Sequence, residues 1–181
     1  MKTFGIFILG GLLFITTAAT AEIDEIVVTA QKRTESVQDV PISITAFSGD
    51  ELDVRGLNDM QDVARYVPNF QMPTGNISRN TSLRIRGIGS AGSNAGIEAS
   101  VGSFVDGLYM PTNAMNFGEL IDIQSVEILR GPQGTLYGRN TPVGALNITT
   151  RNPSDEFESM IKLGYGEFDR ATIIGYVGSG L

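Results

Sequence analysis

Residues 125–132 read Ser125-Val126-Glu127-Ile128-Leu129-Arg130-Gly131-Pro132 and form the clearest strand pattern in the chain. The β-branched and apolar residues favour a strand that runs to Arg130, where Gly131 follows at once. Residues 82–87, Ser-Leu-Arg-Ile-Arg-Gly, alternate apolar and polar side chains and also end in Arg-Gly, at Arg86 and Gly87. An arginine at a strand end usually faces solvent, whereas two fixed guanidinium groups suit carboxylate partners elsewhere. The residues alone leave both interpretations open.

Further strands are predicted on both sides of this stretch. Strand-like alternation or β-branched character is found in residues 40–47, 101–105 and 145–150. Ser48-Gly49-Asp50-Glu51 is a capping box that predicts a short helix ended by Gly56. Asn58-Asp59-Met60-Gln61 repeats this device and predicts a second helix, which Pro68 ends.

Glycine is frequent between these elements, with 22 glycines in 181 residues. Residues 89–100 and 110–118 are Gly-, Ser- and Asn-rich and predict loops. The fold class expected for the central part of the chain is therefore α+β: a small mixed β-sheet with short helices and long Gly-rich loops.

The pattern changes after residue 153. Residues 160–165 and 171–177 are two longer alternating segments, joined by Gly166-Glu167-Phe168-Asp169. They predict a β-hairpin. Because a single hairpin is marginal in water, we expect residues 156–181 to be the beginning of a larger structure.

The N-terminus predicts an exported protein. Lys2 is followed by an apolar run over residues 4–15 and by Ala19-Thr20-Ala21, the order found in a signal peptide that is cleaved after residue 21. Ile26-Val27-Val28-Thr29 has high strand propensity. No partner strand is expected nearby, so this part predicts an extended segment on a flexible tether.

Composition excludes several kinds of chemistry. The chain has neither Cys nor His, which excludes thiolate or imidazole metal sites and Ser-His-Asp triads. Lys and Arg number 13 against 20 Asp and Glu, a net charge of −7 that argues against nucleic acid as a partner. No carboxylate pair stands out as a hydrolytic site, and we predict neither an enzyme, a metal site nor a cofactor.

Two glycine motifs suggest nucleotides but lack the required context. Residues 87–92 fit GxGxxG after a strand, yet the following Ser93-Asn94-Ala95-Gly96 is a poor helix start. Residues 131–135 have no Lys at the position that a P-loop needs. Neither motif favours nucleotide binding.

The ordered set of motifs resembles the TonB-dependent outer-membrane receptors of bacteria. Residues 25–30 are similar to a TonB box. Residues 41–52, Leu83 to Gly87, Val105-Asp106-Gly107, residues 126–132 and Leu136-Tyr137-Gly138 resemble the plug domain. Residues 145–148 and those after them resemble the plug exit and the first barrel strands. Pro142-Val143 departs from the family pattern, and we interpret it as a variant of the turn before the last plug strand.

The resemblance implies four parts: a signal peptide (1–21), a TonB-box segment and tether (22–39), a plug domain (40–153) and the start of an antiparallel outer-membrane β-barrel (154–181). A plugged barrel of this class has ~22 strands. At ~10 residues per strand, 181 residues cannot supply them. We therefore expect a fragment that holds the plug and the first barrel hairpin and that cannot transport a ligand by itself.

The resemblance also implies partners and sites. The partner would be TonB, bound through Glu25, Ile26, Val27, Val28, Thr29 and Ala30. The imported ligand would be a ferric siderophore, the commonest substrate class of the family, with cobalamin, haem, sugars and other metals as the rarer alternatives. Arg86 and Arg130 would be latches to barrel glutamates. Tyr109, Met110 and Phe117 would contact the ligand, or else pack against the barrel wall. The alternative is a soluble periplasmic module that binds TonB or signals without transporting anything.

Overall fold

The computed structural model describes residues 27–28, 35–36, 40–75, 81–90, 97–112 and 118–180. The expected signal peptide, residues 1–21, lies outside these residues. The strands in chain order are β1 (Val27–Val28), β2 (Glu35–Ser36), β3 (Ser43–Ser48), β4 (Phe70–Gln71), β5 (Arg84–Ile85), β6 (Val101–Val105), β7 (Leu108–Tyr109), β8 (Ile123–Arg130), β9 (Gly144–Thr150), β10 (Glu158–Gly166) and β11 (Arg170–Gly178). The helices are α1 (Gly49–Arg55), α2 (Met60–Tyr66), the single turn α3 (Gly134–Tyr137) and a 3₁₀ turn, Glu167–Asp169.

A five-stranded mixed sheet forms the centre, in the order β3-β8-β9-β6-β7. The β6–β9 pair is parallel and the other pairs are antiparallel. The strands predicted around residues 40–47, 101–105, 125–130 and 145–150 all lie in this sheet. The expectation of a small mixed sheet with short helices is confirmed.

Strand β8 is buried on both faces. Val126 and Ile128 pack with Leu52 of α1 and with Met60 and Val63 of α2. On the other face, Leu129 packs with Val40, Phe104 and Ala145. The two sets of contacts alternate along the strand because successive side chains point to opposite sides.

Helix α1 begins at its predicted cap, Ser48, whereas α2 is capped by Asp59, one residue after the Asn58 that opens the predicted capping box. The Ser48 hydroxyl accepts a hydrogen bond from the Glu51 amide at 3.2 Å, and the Asp59 carboxylate accepts one from the Asp62 amide at 2.7 Å. Gly56 ends α1 with a φ of 68°, which glycine adopts without steric cost. These caps satisfy amides that have no partner within the helix.

Glycine is required at position 144, where β9 begins beside the Arg130 end of β8. A Cβ atom there would collide with the Leu129 carbonyl and with the side chain of Ile85. The absence of a side chain therefore lets the β4–β5 pair lie directly against the sheet.

The predicted hairpin is present as β10 and β11, paired antiparallel over nine register positions. Half-buried residues on one side of it, among them Met160, Lys162 and Ile174, line a cavity of about 310 Å³ between the hairpin and α1. The opposite side is apolar and exposed, with Ile161 and Ile173 at 76% and 77% exposure. No helix in the described parts of the chain is long and apolar enough to cross a membrane.

One expectation at the N-terminus is wrong. Val27 and Val28 have a local partner strand: they pair antiparallel with Ser36 and Glu35. The short distance along the chain makes this pairing possible, because closing a small loop costs little entropy. Propensity identified β1 as extended but gave no signal for the polar β2.

We predict that Ile128→Ala lowers the free energy of unfolding by ~2–5 kcal/mol, because it opens a cavity under a fully buried side chain. The matched control is Ile88→Ala, whose side chain is 60% exposed and should change stability by less than ~0.5 kcal/mol. Urea unfolding of the 181-residue chain measures both. Equal effects of the two substitutions would contradict the packing described here.

Candidate functional site

The side chain of Arg130 connects three parts of the plug. Its Nη2 atom donates hydrogen bonds to Thr45 Oγ1 at 2.6 Å and to the Pro68 carbonyl at 3.4 Å. Its Nη1 atom donates to Ser43 Oγ at 3.3 Å. Ser43 and Thr45 belong to β3, and Pro68 follows α2. The guanidinium thus joins the end of β8 to the edge strand and to the helical layer.

Arg86 follows Ile85, whose side chain reaches Gly144, the register partner of Arg130, so both arginines lie at the same end of the plug. Arg86 has a φ of 54°, and its backbone amide donates to the Asn69 carbonyl at 2.7 Å. Burial, and then the charge of Arg86, lower the pKa of Arg130. Within the described ranges, no carboxylate forms an ion pair with either guanidinium. The structure therefore places two like charges together at one end of the plug, where an anionic group would relieve their repulsion.

The predicted TonB-binding residues are described only in part. Val27 and Val28 form β1, while Glu25, Ile26, Thr29 and Ala30 lie outside the described residues. The backbone of β1 pairs antiparallel with that of β2.

Two of the three predicted ligand contacts, Tyr109 and Met110, are described by the structure. The Tyr109 ring lies 5.6 Å from the Phe104 ring, and its hydroxyl accepts a hydrogen bond from Asn140 at 2.9 Å. Met110 is half-buried, and its amide donates to the Ser103 carbonyl at 2.8 Å. Phe117 lies outside the described residues. Tyr109 is 37% exposed, so part of its ring remains free to contact a ligand.

Sequence reasoning missed a buried polar group on the sheet face opposite the helices. Glu127 is fully buried, and its Oε2 atom accepts a hydrogen bond from Asn147 Nδ2 at 3.2 Å. The ring of Tyr137, from α3, packs 4.9 Å from Phe104. Burial, and then the charge of Glu127, raise the pKa of Tyr137 to about 12. The available signal was a glutamate in the middle of an apolar strand, with buried neighbours expected on both sides.

A second group of charges joins the plug to the hairpin. Arg151, just after β9, donates to the Asp50 carboxylate of α1 at 2.7 Å and lies 4.0 Å from Asp122. The hydrogen bond with Asp50 raises the pKa of Arg151. Lys162 of β10 pairs with Asp53 of the same helix. Among the described side chains, no group of three or more acidic residues could hold a metal ion.

Comparison with known proteins identifies the family. A family model described as the TonB-dependent receptor plug domain matches residues 36–145. The chain belongs to this family.

Its relatives are receptors. The pesticin receptor of Yersinia pestis is 35% identical over 167 residues, which cover 89% of this chain and 24% of the relative. Among solved structures, the ferric yersiniabactin uptake receptor of Yersinia pestis has a TM-score of 0.63 at 31% identity, covering 72% of this chain and 20% of that one. The ferripyoverdine receptor of the Pseudomonas aeruginosa outer membrane shares the fold, with a TM-score of 0.64 at 22% identity, covering 80% of this chain and 19% of that one.

The chain spans about a quarter of the length of the pesticin receptor that it matches. The resemblance inferred from the motifs is confirmed, and so is the expectation of a receptor family rather than an enzyme family.

We predict that Tyr137 titrates at a pH of about 12 and that Glu127→Gln lowers this pKa without returning it to ~10, because burial contributes more than the charge does. Between pH ~10 and ~12, Tyr137 stays protonated in the folded protein but loses its proton in the unfolded protein. The stability that this group contributes is therefore complete below pH ~10 and is lost as pH rises towards 12.

Ultraviolet absorbance at high pH measures this titration. Tyr137→Phe should remove the highest-pH step, and Tyr66→Phe, at an exposed position, should leave that step in place. A Tyr137 that titrates near 10 in the native chain would show that its burial is wrongly described.

Proposed function

We propose that this chain is the plug region of a TonB-dependent receptor of the bacterial outer membrane, which imports a ferric siderophore with energy delivered by TonB. The observation that carries the proposal is the pair of neighbouring arginines at one end of a plug-family fold, with no carboxylate partner among the described residues. The proposed parts are a signal peptide (1–21), the TonB-box segment (22–39), the plug (40–153) and the start of the barrel (154–181).

TonB would bind residues 25–30 by strand addition. Backbone hydrogen bonds supply the affinity in this mode of recognition, and β-branched side chains favour the extended form. The pairing of β1 with β2 supports the proposal, since it shows that the Val27–Val28 backbone accepts a strand partner. Pulling on this segment would then act on the plug.

Arg86 and Arg130 would hold the plug in the barrel by pairing with carboxylates of the barrel wall. Two guanidinium groups that repel each other gain most from an anion between them. Arginine also suits a buried pair because its planar fork matches a carboxylate. The lowered pKa of Arg130 fits a group that still lacks this counter-charge.

The proposed ligand class rests on the relatives. The solved structures similar to this chain include the ferric yersiniabactin uptake receptor, at 31% identity. Tyr109, Met110 and Phe117 would form the plug side of the ligand contact, with the exposed part of Tyr109 as the best-supported member.

An outer-membrane location is supported by the exposed side of the hairpin. Ile161, Leu163, Ile173 and Val177 are each more than 70% exposed and form an apolar stripe. Aromatic residues stand at its two ends, Phe157 before β10 and Tyr165 near the turn. The segment from Phe157 to Tyr165 is nine residues long, within the ~9–11 residues of a tilted transmembrane β-strand, and aromatic residues flank the apolar band of such barrels.

We predict that Val28→Pro weakens TonB binding at least tenfold, because proline removes a backbone donor from the added strand. Titration of the mature chain with the C-terminal domain of TonB measures this effect. The control is Gln38→Pro, which places the same residue outside the proposed box and should leave the affinity unchanged. If the two variants bind alike, TonB recognises another segment.

For the proposed latch, we predict opposite effects of Arg86→Gln in two settings. In the 181-residue chain, it should raise the free energy of unfolding by less than ~1 kcal/mol, because it removes the repulsion between exposed Arg86 and half-buried Arg130, which solvent screens. In a receptor whose barrel encloses the plug, it should cost ~3–5 kcal/mol, because a buried carboxylate loses its partner.

Arg86→Lys keeps the charge and is the matched control in both settings. Unfolding experiments measure the stability change in the 181-residue chain, and hydrogen exchange measures it in the plug enclosed by the barrel. The latch assignment fails if Arg86→Gln has the same effect with and without the barrel.

A further inference from the structure

Two of the three Arg130 acceptors are hydroxyl groups of one strand. Ser43 and Thr45 lie on the same side of β3, two residues apart, and both accept from the guanidinium. Ser43 is also the register partner of Arg130 in the β3–β8 pair. Arg130 therefore holds β3 through its side chain at the end where the strand begins.

The position of β3 makes this contact the first side-chain hydrogen bonding of the central sheet that tension would reach, just after the apolar contact of Val40 with Leu129. The strand lies at an edge of the five-stranded sheet and pairs with β8. It is also the first sheet strand after the N-terminal segment. A force that arrives along residues 22–39 meets the Ser43–Arg130 end of β3 before any other part of the central sheet.

We infer that Arg130 is a positioning residue that clasps β3, the strand through which tension enters the plug. The inference rests on the proposed function and deepens it, because it names the hydrogen bonds at the edge of the central sheet that pulling must break before β3 can leave β8. It differs from the proposed latch, which would join Arg130 to a barrel carboxylate.

The donor geometry of arginine allows both roles. A guanidinium has five N–H donors in a planar fork. Ser43, Thr45 and Pro68 take three of them, on Nη1 and Nη2, so one donor on Nε and one on Nη1 remain for a carboxylate. A lysine, with three donors, would have none left after the same three contacts.

Hydrogen exchange of the 181-residue chain tests whether the hydrogen bonds of Arg130 to Ser43 and Thr45 hold β3 in place. We expect Ser43→Ala/Thr45→Val to speed exchange of the β3 amides about tenfold, the effect of losing a hydrogen bond to a charged group. Arg130→Gln should give a similar increase, and the triple variant should exchange no faster than Arg130→Gln alone. Thr172→Val, on β11, is the matched control and should leave β3 unchanged.

Single-molecule pulling tests the mechanical role. The chain has no native cysteine, so Asp155→Cys supplies one handle and the N-terminus of the mature chain supplies the other. The hydroxyl variants should lower the force of the first, short unfolding event and leave the later events unchanged. A purely structural effect would lower all of them.

The inference is overturned if the hydroxyl variants leave β3 exchange unchanged, if their effect adds fully to that of Arg130→Gln, or if the first event keeps its force. None of these measurements contains TonB or a barrel. Their outcome is therefore independent of whether Val28→Pro weakens TonB binding, and the two proposals can fail separately.

Discussion

The burial of both faces of β8 determines where the other elements of the plug must lie. Val126 and Ile128 require apolar cover on one side, which α1 and α2 provide, while Leu129 and Glu127 require cover on the other. Strands β3 and β9 flank β8 and satisfy its backbone. Because the strand is held on all sides, Arg130 at its end is fixed, and the contacts of that arginine with β3 and Pro68 follow from its position.

A buried carboxylate next to this apolar packing is costly unless it is hydrogen-bonded. Glu127 is compensated by Asn147, its register partner on β9. The short α3 turn places Tyr137 on the same face, where its ring covers Phe104. Glu127, Asn147 and Tyr137 come from three separate elements, β8, β9 and α3. This face of the sheet is therefore complete only when all three elements are in place.

The sequence predicted the elements that depend on local chemistry. Alternation identified the strands and the hairpin, and the capping boxes over residues 48–51 and 58–61 identified both helix starts to within one residue. The sequence could not predict which residues from different elements contact one another. The partner strand of Val27–Val28, the packing of Tyr109 on Phe104 and the burial of Glu127 depend on register and on the second layer of cover. The hydroxyl partners of Arg130 were missed for the same reason, since Thr45 lies 85 residues away from it.

That separation has a consequence for how the protein is made. Strand β3 leaves the ribosome long before β8, because 85 residues separate Thr45 from Arg130. At ~5–20 residues per second, the delay is roughly 4–17 s. During this interval β3 has an unsatisfied edge, and the apolar residue Phe47 has not yet met Val126, its register partner. The nascent chain therefore passes through a stage in which its first plug strand has no pairing partner, and slower translation would lengthen that stage.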